Sequence, residues 1–306
     1  MTTLPADTAA LDRAGLMGFF RDLVELGKPR LAALVIFTFG GALLLAPQTV
    51  SLSRGLTALI GTTLIVAAAN AINMYLERDI DGLMRRTQGR PLPQGRISPI
   101  IALATGAMLG SAALPLLFVG GGFLVVALGL IAFYAYVWGY TPLKRRSPIS
   151  LYVGAVPGAM PPLMGWATAS GTIDAGGLAL FMILFVWQVP HFIAIAIFRA
   201  EDYAGAGFRV ISLARSPRST RATMIVGAAA LVPLTLALYA LGIAGWVYAA
   251  LAIALGLGFV GVVLRGVRLS PADPACNRWA RVVFFYSILY LTALFFALAL
   301  DHALLG

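Results

Sequence analysis

Amide and carboxylate side chains recur at helical spacing in the short stretch NMYLERDID. At about 100° per residue, Asn73, Glu77 and Asp81 fall on one helical face, and Asn70 lies on the same face one turn earlier. Mg²⁺ takes oxygen ligands and usually binds proteins through one or two carboxylates plus substrate phosphates. The spacing therefore favours a magnesium site, and the alternative is a solvated helix end with local ion pairs.

A second charged stretch, RAEDYAG, follows another apolar run further along the chain. Arg199, Asp202 and Tyr203 share one helical face there, and His191 lies on that face about two turns deeper in the apolar run. Pro190 removes a backbone hydrogen bond beside this histidine, which predicts a kinked helix and a cavity wall. An ionisable residue inside an apolar span is a candidate functional residue. The alternative for His191 is a hydrogen bond to a neighbouring helix that serves packing alone.

Carboxylates that hold Mg²⁺, with arginines around them, indicate a diphosphate site. Arginine binds phosphate bidentately, and the metal neutralises the charge that builds on the leaving group. At the end of apolar helices, such a site favours a prenyl diphosphate, whose head stays at the charged rim while its tail lies between helices. Loss of diphosphate would leave an allylic cation, which aromatic faces stabilise. The aromatic residues available nearby are Tyr75, Phe133, Tyr134, Tyr136, Trp138 and Tyr140.

The elements that position these residues are membrane helices. Of the 306 residues, 60% are hydrophobic and 11% are charged. Apolar runs of about twenty residues recur, each long enough to cross a bilayer as a helix, and lipid leaves a helical bundle as the architecture for repeated spans of this kind. The sequence predicts an all-α polytopic membrane protein with nine spans, near 30–48, 54–77, 98–117, 120–140, 149–168, 177–198, 220–241, 244–264 and 279–300.

The ends of the chain complete this domain organisation. An N-terminal cytoplasmic segment, 1–28, contains a predicted interfacial helix at 14–27, with Leu16 and Phe20 on its apolar face. The nine-helix domain covers 29–301, and a short non-cytoplasmic tail follows at 302–306. The single cysteine, Cys276, excludes an internal disulfide.

Basic residues give the spans an orientation. All of the 22 Lys and Arg residues except Arg54 lie in the N-terminal segment or in and beside four loops, near 78–97, 141–148, 199–219 and 265–278. By the positive-inside rule these loops and the N-terminus are cytoplasmic, and the C-terminus lies on the other side. The formal charge of +10 then reflects topology and contact with anionic lipid, and no basic soluble face for nucleic acid is visible. The two acidic clusters lie four spans apart, which suggests an internal pseudo-repeat.

Four motifs, in order, resemble the UbiA-type prenyltransferases, and among them the branch that modifies haem. The resemblance covers about 25–300. The motifs are KPR (28–30), NMYLERDIDGLMRRTQGRPLPQGRIS (73–98), YTPLKRRSPISLYVGAVPGAMPPLMGW (140–166) and PHFIAIAIFRAEDYAGAG (190–207).

That resemblance implies a nine-helix bundle with a central cavity in a bacterial-type inner membrane. It implies Mg²⁺ as cofactor, farnesyl diphosphate as donor and protoheme IX (haem B) as acceptor, with water added so that the product is haem O. Haem A synthase or a terminal oxidase assembly would be the partners that receive this product.

The same resemblance implies a role for each matching residue. The metal–diphosphate residues would be Asn73, Glu77 and Asp81. The further diphosphate contacts would come from Arg90, Lys144 and Arg145. The second loop would contribute Arg199, Asp202 and Tyr203, and His191 would face the acceptor.

Two departures and three alternatives accompany this hypothesis. Many relatives carry Asp-x-x-x-Asp in the second loop, where this chain has Arg199 and Tyr203, and GFRVIS (207–212) replaces an expected GIPMLP. The first alternative is a prenyltransferase acting on an aromatic acid or quinone precursor. The second is a membrane transporter, although transporters commonly place coupling charges near the bilayer midplane, whereas here the charges gather at one rim. The third is a structural haem-handling subunit, which would not need two acid-rich loops.

Overall fold

The computed structural model describes residues 6–305, with side chains described for 15–301, and this part of the chain is helical with no β-strand. Of the terminal segments predicted at 1–28 and 302–306, residues 1–5 and 306 lie outside the described residues. The helices are α1 (Ala6–Leu26), α2 (Pro29–Leu45), α3 (Leu52–Asp81), α4 (Pro99–Tyr134), a π-helix (Ala135–Tyr140), α5 (Thr141–Leu143), α6 (Ser150–Ser170), α7 (Ala175–Phe198), α8 (Ala200–Gly205), α9 (Ile211–Ala214), α10 (Pro217–Ala240), α11 (Trp246–Leu264) and α12 (Pro274–Leu305).

A sharp bend separates α1 from α2. The two helices meet at 50°, and Lys28 between them has a left-handed backbone with φ of 53°. Pro29 then opens α2, where its missing N–H costs nothing. α1 contains the predicted helix at 14–27 and begins earlier, at Ala6, and it leaves Leu16 and Phe20 exposed.

α4 consists of two helices that fold back on each other. Gly122 has φ of 75° and non-helical geometry, a conformation that glycine adopts without a steric penalty. A Cβ on Gly129 would meet the side chain of Leu117, which lies twelve residues earlier, so the chain reverses at Gly122. A Cβ on Gly120 would meet the backbone of Ala58, so the missing side chain lets α3 and α4 approach closely.

The second half of α4 continues into the π-helix at Ala135–Tyr140. Its geometry is visible at Tyr136, whose carbonyl accepts a hydrogen bond from the amide of Thr141, five residues on. The Thr141 hydroxyl donates to the same carbonyl at 2.9 Å. π-helical turns are frequent at functional sites, and this one leads directly into the basic loop that follows Leu143.

The predicted count of nine spans is not exact. Six helices in the described range are long and apolar enough to cross a membrane, or seven if the bent pair α1–α2 forms one span. The predicted spans at 98–117 and 120–140 correspond to the two helices of the segment Pro99–Leu143, which folds back at Gly122 and is counted once among the six. The predicted span at 149–168 corresponds to α6, which contains three prolines that lower its apolar character.

Two hydrophobic clusters form the core, and α6 contributes to both. One joins α2, α3, α4 and α6 around residues such as Phe39 and Leu117. The other joins α6 with α7, α10, α11 and α12 around residues such as Trp166 and Tyr248. Between the two halves, the helices enclose a cavity.

Candidate functional site

The cavity has a volume of about 700 Å³ and runs from the charged end of α3 into the bundle. Its wall is apolar over most of its area and polar at one end. The polar end is lined by Lys28, Asn70, Asn73, Glu77, Asp81, Arg86, Arg90, Tyr136, Tyr140 and Lys144. The aromatic end is lined by Trp187, His191, Phe192, Phe198, Phe284 and Phe285, with Arg199 and Arg281 beside them.

α3 carries its acidic and amide side chains on an inward face, as the helical spacing predicts. Asn73, Glu77 and Asp81 are all buried, at 0%, 4% and 0% exposure. Asp79 has a side chain that is 84% exposed. The helix ends at Asp81, and its charged last turns line the cavity with Glu77 and Asp81.

Asn73 is held by three other elements. Its Nδ2 donates to the Thr141 hydroxyl at 3.0 Å, and its Oδ1 accepts from Lys28 Nζ at 3.0 Å. The Tyr136 hydroxyl lies 3.5 Å from the same Oδ1 and accepts from Lys28 Nζ at 3.3 Å. The amide orientation is therefore fixed, with its oxygen facing a buried cation.

Glu77 forms a buried ion pair with Lys144. The ammonium lies 2.8 Å and 3.0 Å from the two carboxylate oxygens. Burial alone would lower the pKa of Lys144, but Tyr140 and the Glu77 carboxylate raise it above the ordinary lysine value. Lys144 therefore stays charged, and it also lies 4.4 Å from the centre of the Tyr140 ring.

Asp81 is paired with Arg90 from the following loop. Arg90 donates to Asp81 Oδ2 at 2.6 Å, and the Thr87 hydroxyl donates to the Asp81 backbone carbonyl at 2.8 Å. The other carboxylate oxygen, Oδ1, is buried without a hydrogen-bond partner. A buried, unpaired carboxylate oxygen is costly unless a ligand completes its surroundings.

Lys28 adds a third cation to this end of the cavity. Burial, and after it the charges of Arg90 and Lys144, lower its pKa from 10.5 to about 7, against the opposing effect of Glu77 and Asp81. Its left-handed backbone conformation is unusual for a residue with a side chain and directs attention to a functional role.

The second charged stretch, at the end of α7, is arranged more loosely. Arg199 and Asp202 lie 3.6 Å apart as a pair within one helical turn. Arg199 and Tyr203 line the cavity, and the Tyr203 ring packs against Phe208 at 5.8 Å. Asp202 is half-buried but does not line the cavity. Arg145 is exposed and likewise does not reach the cavity wall, so the structure does not bring it together with the other site residues.

His191 lies on the aromatic wall of the cavity, about two helical turns before Arg199 along α7. Its Nδ1 is 2.7 Å from the Ser287 hydroxyl on α12. Its ring stacks on Trp187 at 4.6 Å and lies 4.9 Å from Phe284. Both alternatives for this histidine, a cavity role and a hydrogen bond to a neighbouring helix, therefore have a structural basis.

The donor set at the polar end fits a hard divalent cation. Asn73, Glu77 and Asp81 supply one amide oxygen and two carboxylates, and Asp81 Oδ1 already lacks a partner. Within the described residues, no group of three His, Cys, Asp or Glu side chains is placed to hold a metal ion by itself. Mg²⁺ usually takes few protein ligands and completes its shell with water and phosphate.

Several residues that line the cavity, or that hydrogen-bond to its lining, were not assigned individual roles from the sequence patterns. Lys28 belongs to the KPR motif, which marked the region but not the side chain. Tyr136 is one of many aromatic residues near a helix end, and Thr141, Ser287 and Arg281 carry no local signal that distinguishes them. Their roles depend on contacts between helices far apart in sequence.

Curated relatives match this chain over nearly its whole length. A protoheme IX farnesyltransferase of Anaeromyxobacter sp. (strain Fw109-5) is 48% identical over 295 residues, covering 96% of this chain and 98% of the relative. One from Myxococcus xanthus (strain DK1622) is 48% identical over 283 residues, covering 92% of this chain and 94% of the relative.

Solved structures with low sequence identity share the fold. A digeranylgeranylglyceryl phosphate synthase structure aligns with a TM-score of 0.79 at 15% identity, covering 93% of this chain and 99% of that chain. A UbiA homologue from Archaeoglobus fulgidus bound to GPP and Mg²⁺ aligns with a TM-score of 0.67 at 19% identity, covering 90% and 99%. The model of the UbiA prenyltransferase family matches residues 34–300. The chain is a multi-pass membrane protein that belongs to the UbiA prenyltransferase family.

Proposed function

We propose that this chain transfers the farnesyl group of farnesyl diphosphate to a vinyl group of protoheme IX (haem B), with addition of water, to give haem O and diphosphate. One observation carries the proposal: a single cavity joins an oxygen-and-cation end, suited to a metal-bound diphosphate, to an aromatic end with a histidine. The curated relatives named protoheme IX farnesyltransferase over nearly the whole chain support the choice of donor and acceptor.

The diphosphate binds at the polar end. Three cations contact the oxygens of Asn73, Asp81 and Glu77 on α3, and they are Lys28, Arg90 and Lys144 respectively. Together they supply the positive charge that a diphosphate requires. Phosphate oxygens would take over these cations as partners. The carboxylates of Glu77 and Asp81 and the amide oxygen of Asn73 would then be released to hold Mg²⁺.

Mg²⁺, when bound, neutralises negative charge on the departing diphosphate. Support for this cofactor comes from the unpartnered Asp81 Oδ1 and from the A. fulgidus homologue that was solved with GPP and Mg²⁺. This chain's own residues supply the remaining stabilisation: Lys144 and Arg90 lie beside the leaving group and stabilise it as the carbon–oxygen bond breaks.

Aromatic rings lie where the allylic cation would form. Tyr136 and Tyr140 stack at 5.5 Å beside Lys144, and both line the cavity next to the polar end. Their faces carry partial negative charge and stabilise a nearby carbocation. The apolar wall beyond them is wide enough to take a prenyl chain and excludes water from the cation before the acceptor reacts.

The acceptor binds at the aromatic end. Trp187, Phe284 and Phe285 offer flat apolar surface to a porphyrin. Arg281 lies at the edge of this surface, where its guanidinium is 5.6 Å from the centre of the Phe198 ring, and it is placed to meet a carboxylate of the acceptor.

The cellular setting follows from the same hypothesis. From the positive-inside rule, we expect the polar end of the cavity to face the cytoplasmic side of a bacterial-type inner membrane, with the C-terminus outside and the domains divided at 1–28, 29–301 and 302–306. The product would pass to haem A synthase or to a terminal oxidase assembly. A fusion-reporter map of both termini tests the orientation.

The decisive experiment is a product assay. Purified protein in lipid nanodiscs receives farnesyl diphosphate, Mg²⁺ and haem B, and the haem fraction is analysed by mass spectrometry. The expected product is a haem heavier by a farnesyl group plus water. Prenylated 4-hydroxybenzoate in a parallel reaction, with unmodified haem, would instead place the chain among prenyltransferases of aromatic acids.

A further inference from the structure

A short relay of hydrogen bonds links the aromatic wall of the cavity to α12. Ser287 is fully buried, and its hydroxyl lies 2.6 Å from the backbone carbonyl of Phe284 and 2.7 Å from His191 Nδ1. The indole N–H of Trp187 donates to the Ser287 carbonyl at 2.7 Å, which fixes the ring that stacks on His191.

The single proton of the Ser287 hydroxyl determines which group donates and which accepts in these hydrogen bonds. A hydroxyl has one proton to donate and two lone pairs to accept. Two oxygens at 2.6 Å need a proton between them, and the Phe284 carbonyl has none to give, so the hydroxyl must donate to that carbonyl. Ser287 therefore accepts from His191, and the histidine carries its proton on Nδ1.

The other ring nitrogen, Nε2, is then unprotonated. A neutral imidazole holds one proton, so His191 Nε2 presents a lone pair. The side chain lines the cavity, and the part of the chain that the structure describes offers no hydrogen bond to Nε2. The imidazole stacks on Trp187, packs against Phe284 and is hydrogen-bonded to Ser287, and these contacts fix the orientation of this lone pair.

We infer that Ser287 is a positioning residue that fixes the Nδ1–H tautomer of His191, so that Nε2 acts as a proton acceptor on the acceptor side of the cavity. The use of this acceptor rests on the proposed function. After the farnesyl carbon bonds to the vinyl group, the vinyl-derived carbocation takes water. A carbon–oxygen bond forms, one O–H bond of the water breaks, and the proton passes to His191 Nε2.

The tautomer is measured directly and without substrate. The chain has two histidines, so His302→Gln leaves one, and imidazole-¹⁵N-labelled full-length protein in nanodiscs gives one pair of nitrogen signals. Chemical shifts near neutral pH distinguish a protonated Nδ1 from a protonated Nε2. The expected result is a protonated Nδ1 and an unprotonated Nε2, and a protonated Nε2 would overturn the inference even if neither Ser287 variant folds.

Two substitutions of Ser287 test its part. Ser287→Ala removes the acceptor and is expected to give a mixture of tautomers, whereas Ser287→Thr keeps the hydroxyl and is expected to keep the wild-type signals. If Ser287→Ala leaves the Nδ1–H signature unchanged, the hydroxyl does not set the tautomer, and the inference fails.

Product analysis tests the proton transfer separately. Under the proposed function, Ser287→Ala should raise the fraction of farnesylated haem that lacks water several-fold, while Ser287→Thr should match the wild type. Equal fractions in all three proteins would reject the acceptor role of Nε2. If the wild type makes no farnesylated haem, the proposed function fails instead, and the tautomer measurement still stands.

Discussion

The charged end of α3 and the charged end of α7 both follow long apolar helices, but their side chains are paired differently. Glu77 and Asp81 have side chains that are 5% and 1% exposed; Glu77 is bound by Lys144 from a loop distant in sequence, and Asp81 by Arg90 from the loop that follows α3. Asp202 is 14% exposed and meets only Arg199, three residues before it, which is 44% exposed. The pseudo-repeat suggested by the sequence stays a prediction, and if it exists its two halves are unequal.

This difference shows where buried charge needs support. A buried carboxylate costs free energy unless a cation and hydrogen bonds compensate for the lost water, whereas an exposed pair within one helical turn contributes little. The charged end of α3 therefore has the properties of a preorganised binding site, and the charged end of α7 has those of its partly exposed edge.

The largest effect is expected at Asp81. Asp81→Asn removes a negative charge from the proposed metal site while keeping the side-chain size, and kcat/KM should fall by about 10²- to 10³-fold, as for loss of one key electrostatic group. Farnesyl transfer to haem B is the assay. The matched control is Asp79→Asn, two residues away and exposed, which should retain activity within about twofold. Equal losses in both variants would contradict the assignment.

A large effect on stability is expected at Lys144. Lys144→Met leaves Glu77 buried without its cation, which should lower the free energy of unfolding by about 3–5 kcal/mol. Thermal unfolding in detergent measures the change. Arg145→Met, at the exposed neighbouring position, should change stability little.

The double variant Glu77→Gln/Lys144→Met separates folding from function. It removes both buried charges, so it should recover most of the lost stability while remaining inactive. If it recovers no stability, the ion pair is not the source of the loss. If it recovers activity, the polar end is not the diphosphate site.

A smaller effect is expected at the α7 end. Asp202→Asn weakens one partly exposed pair, so the KM for farnesyl diphosphate should rise by about tenfold or less, consistent with a pair worth about 1 kcal/mol. Initial rates at varied donor concentration measure it. Glu201→Gln is the matched control, because the Glu201 side chain is next to Asp202 in sequence and exposed. A loss of activity in Asp202→Asn as large as that in Asp81→Asn would contradict the difference between the two ends.

A gradual effect of pH is expected from Lys28. Its pKa is lowered from 10.5 to about 7 in the folded protein, so the unfolded chain binds more protons between these values. The destabilisation is full below pH 7 and disappears as the pH rises toward 10.5, so stability without substrate should increase over that window. Unfolding measured from pH 7 to 10 tests this, and Lys28→Met should remove the Lys28 contribution to the slope. An identical slope in the variant would contradict the assignment.

Much of the fold and half of the site could be predicted from the sequence. Apolar runs define helices because lipid forces backbone hydrogen bonds inside each span, and helical periodicity placed Asn73, Glu77 and Asp81 on one buried face. The prediction that Asp79 points elsewhere agrees with its exposed side chain. The family assignment is confirmed by the match over residues 34–300.

The remaining features depend on tertiary contacts that periodicity does not encode. Lys28 reaches Asn73 across 45 residues of sequence, and His191 meets Ser287 across 96. The reversal at Gly122 joins two predicted spans without a polar loop, so the number of spans was not fixed by hydropathy. Arg145 shares the basic motif with Lys144 yet faces outward, because adjacent residues on a helical turn point in different directions.

The π-helix at Ala135–Tyr140 sets the phase of everything that follows it. An α-helix turns by about 100° per residue, and this π-helical turn already holds one residue more than an α-helical turn, so inserting a further residue here would rotate Thr141 away from Asn73 and Lys144 away from Glu77. The length of this stretch therefore constrains the site as strongly as its composition does. A single insertion between Ala135 and Tyr140 would separate the two walls of the diphosphate site, although every residue that contacts the substrate would still be present in the chain.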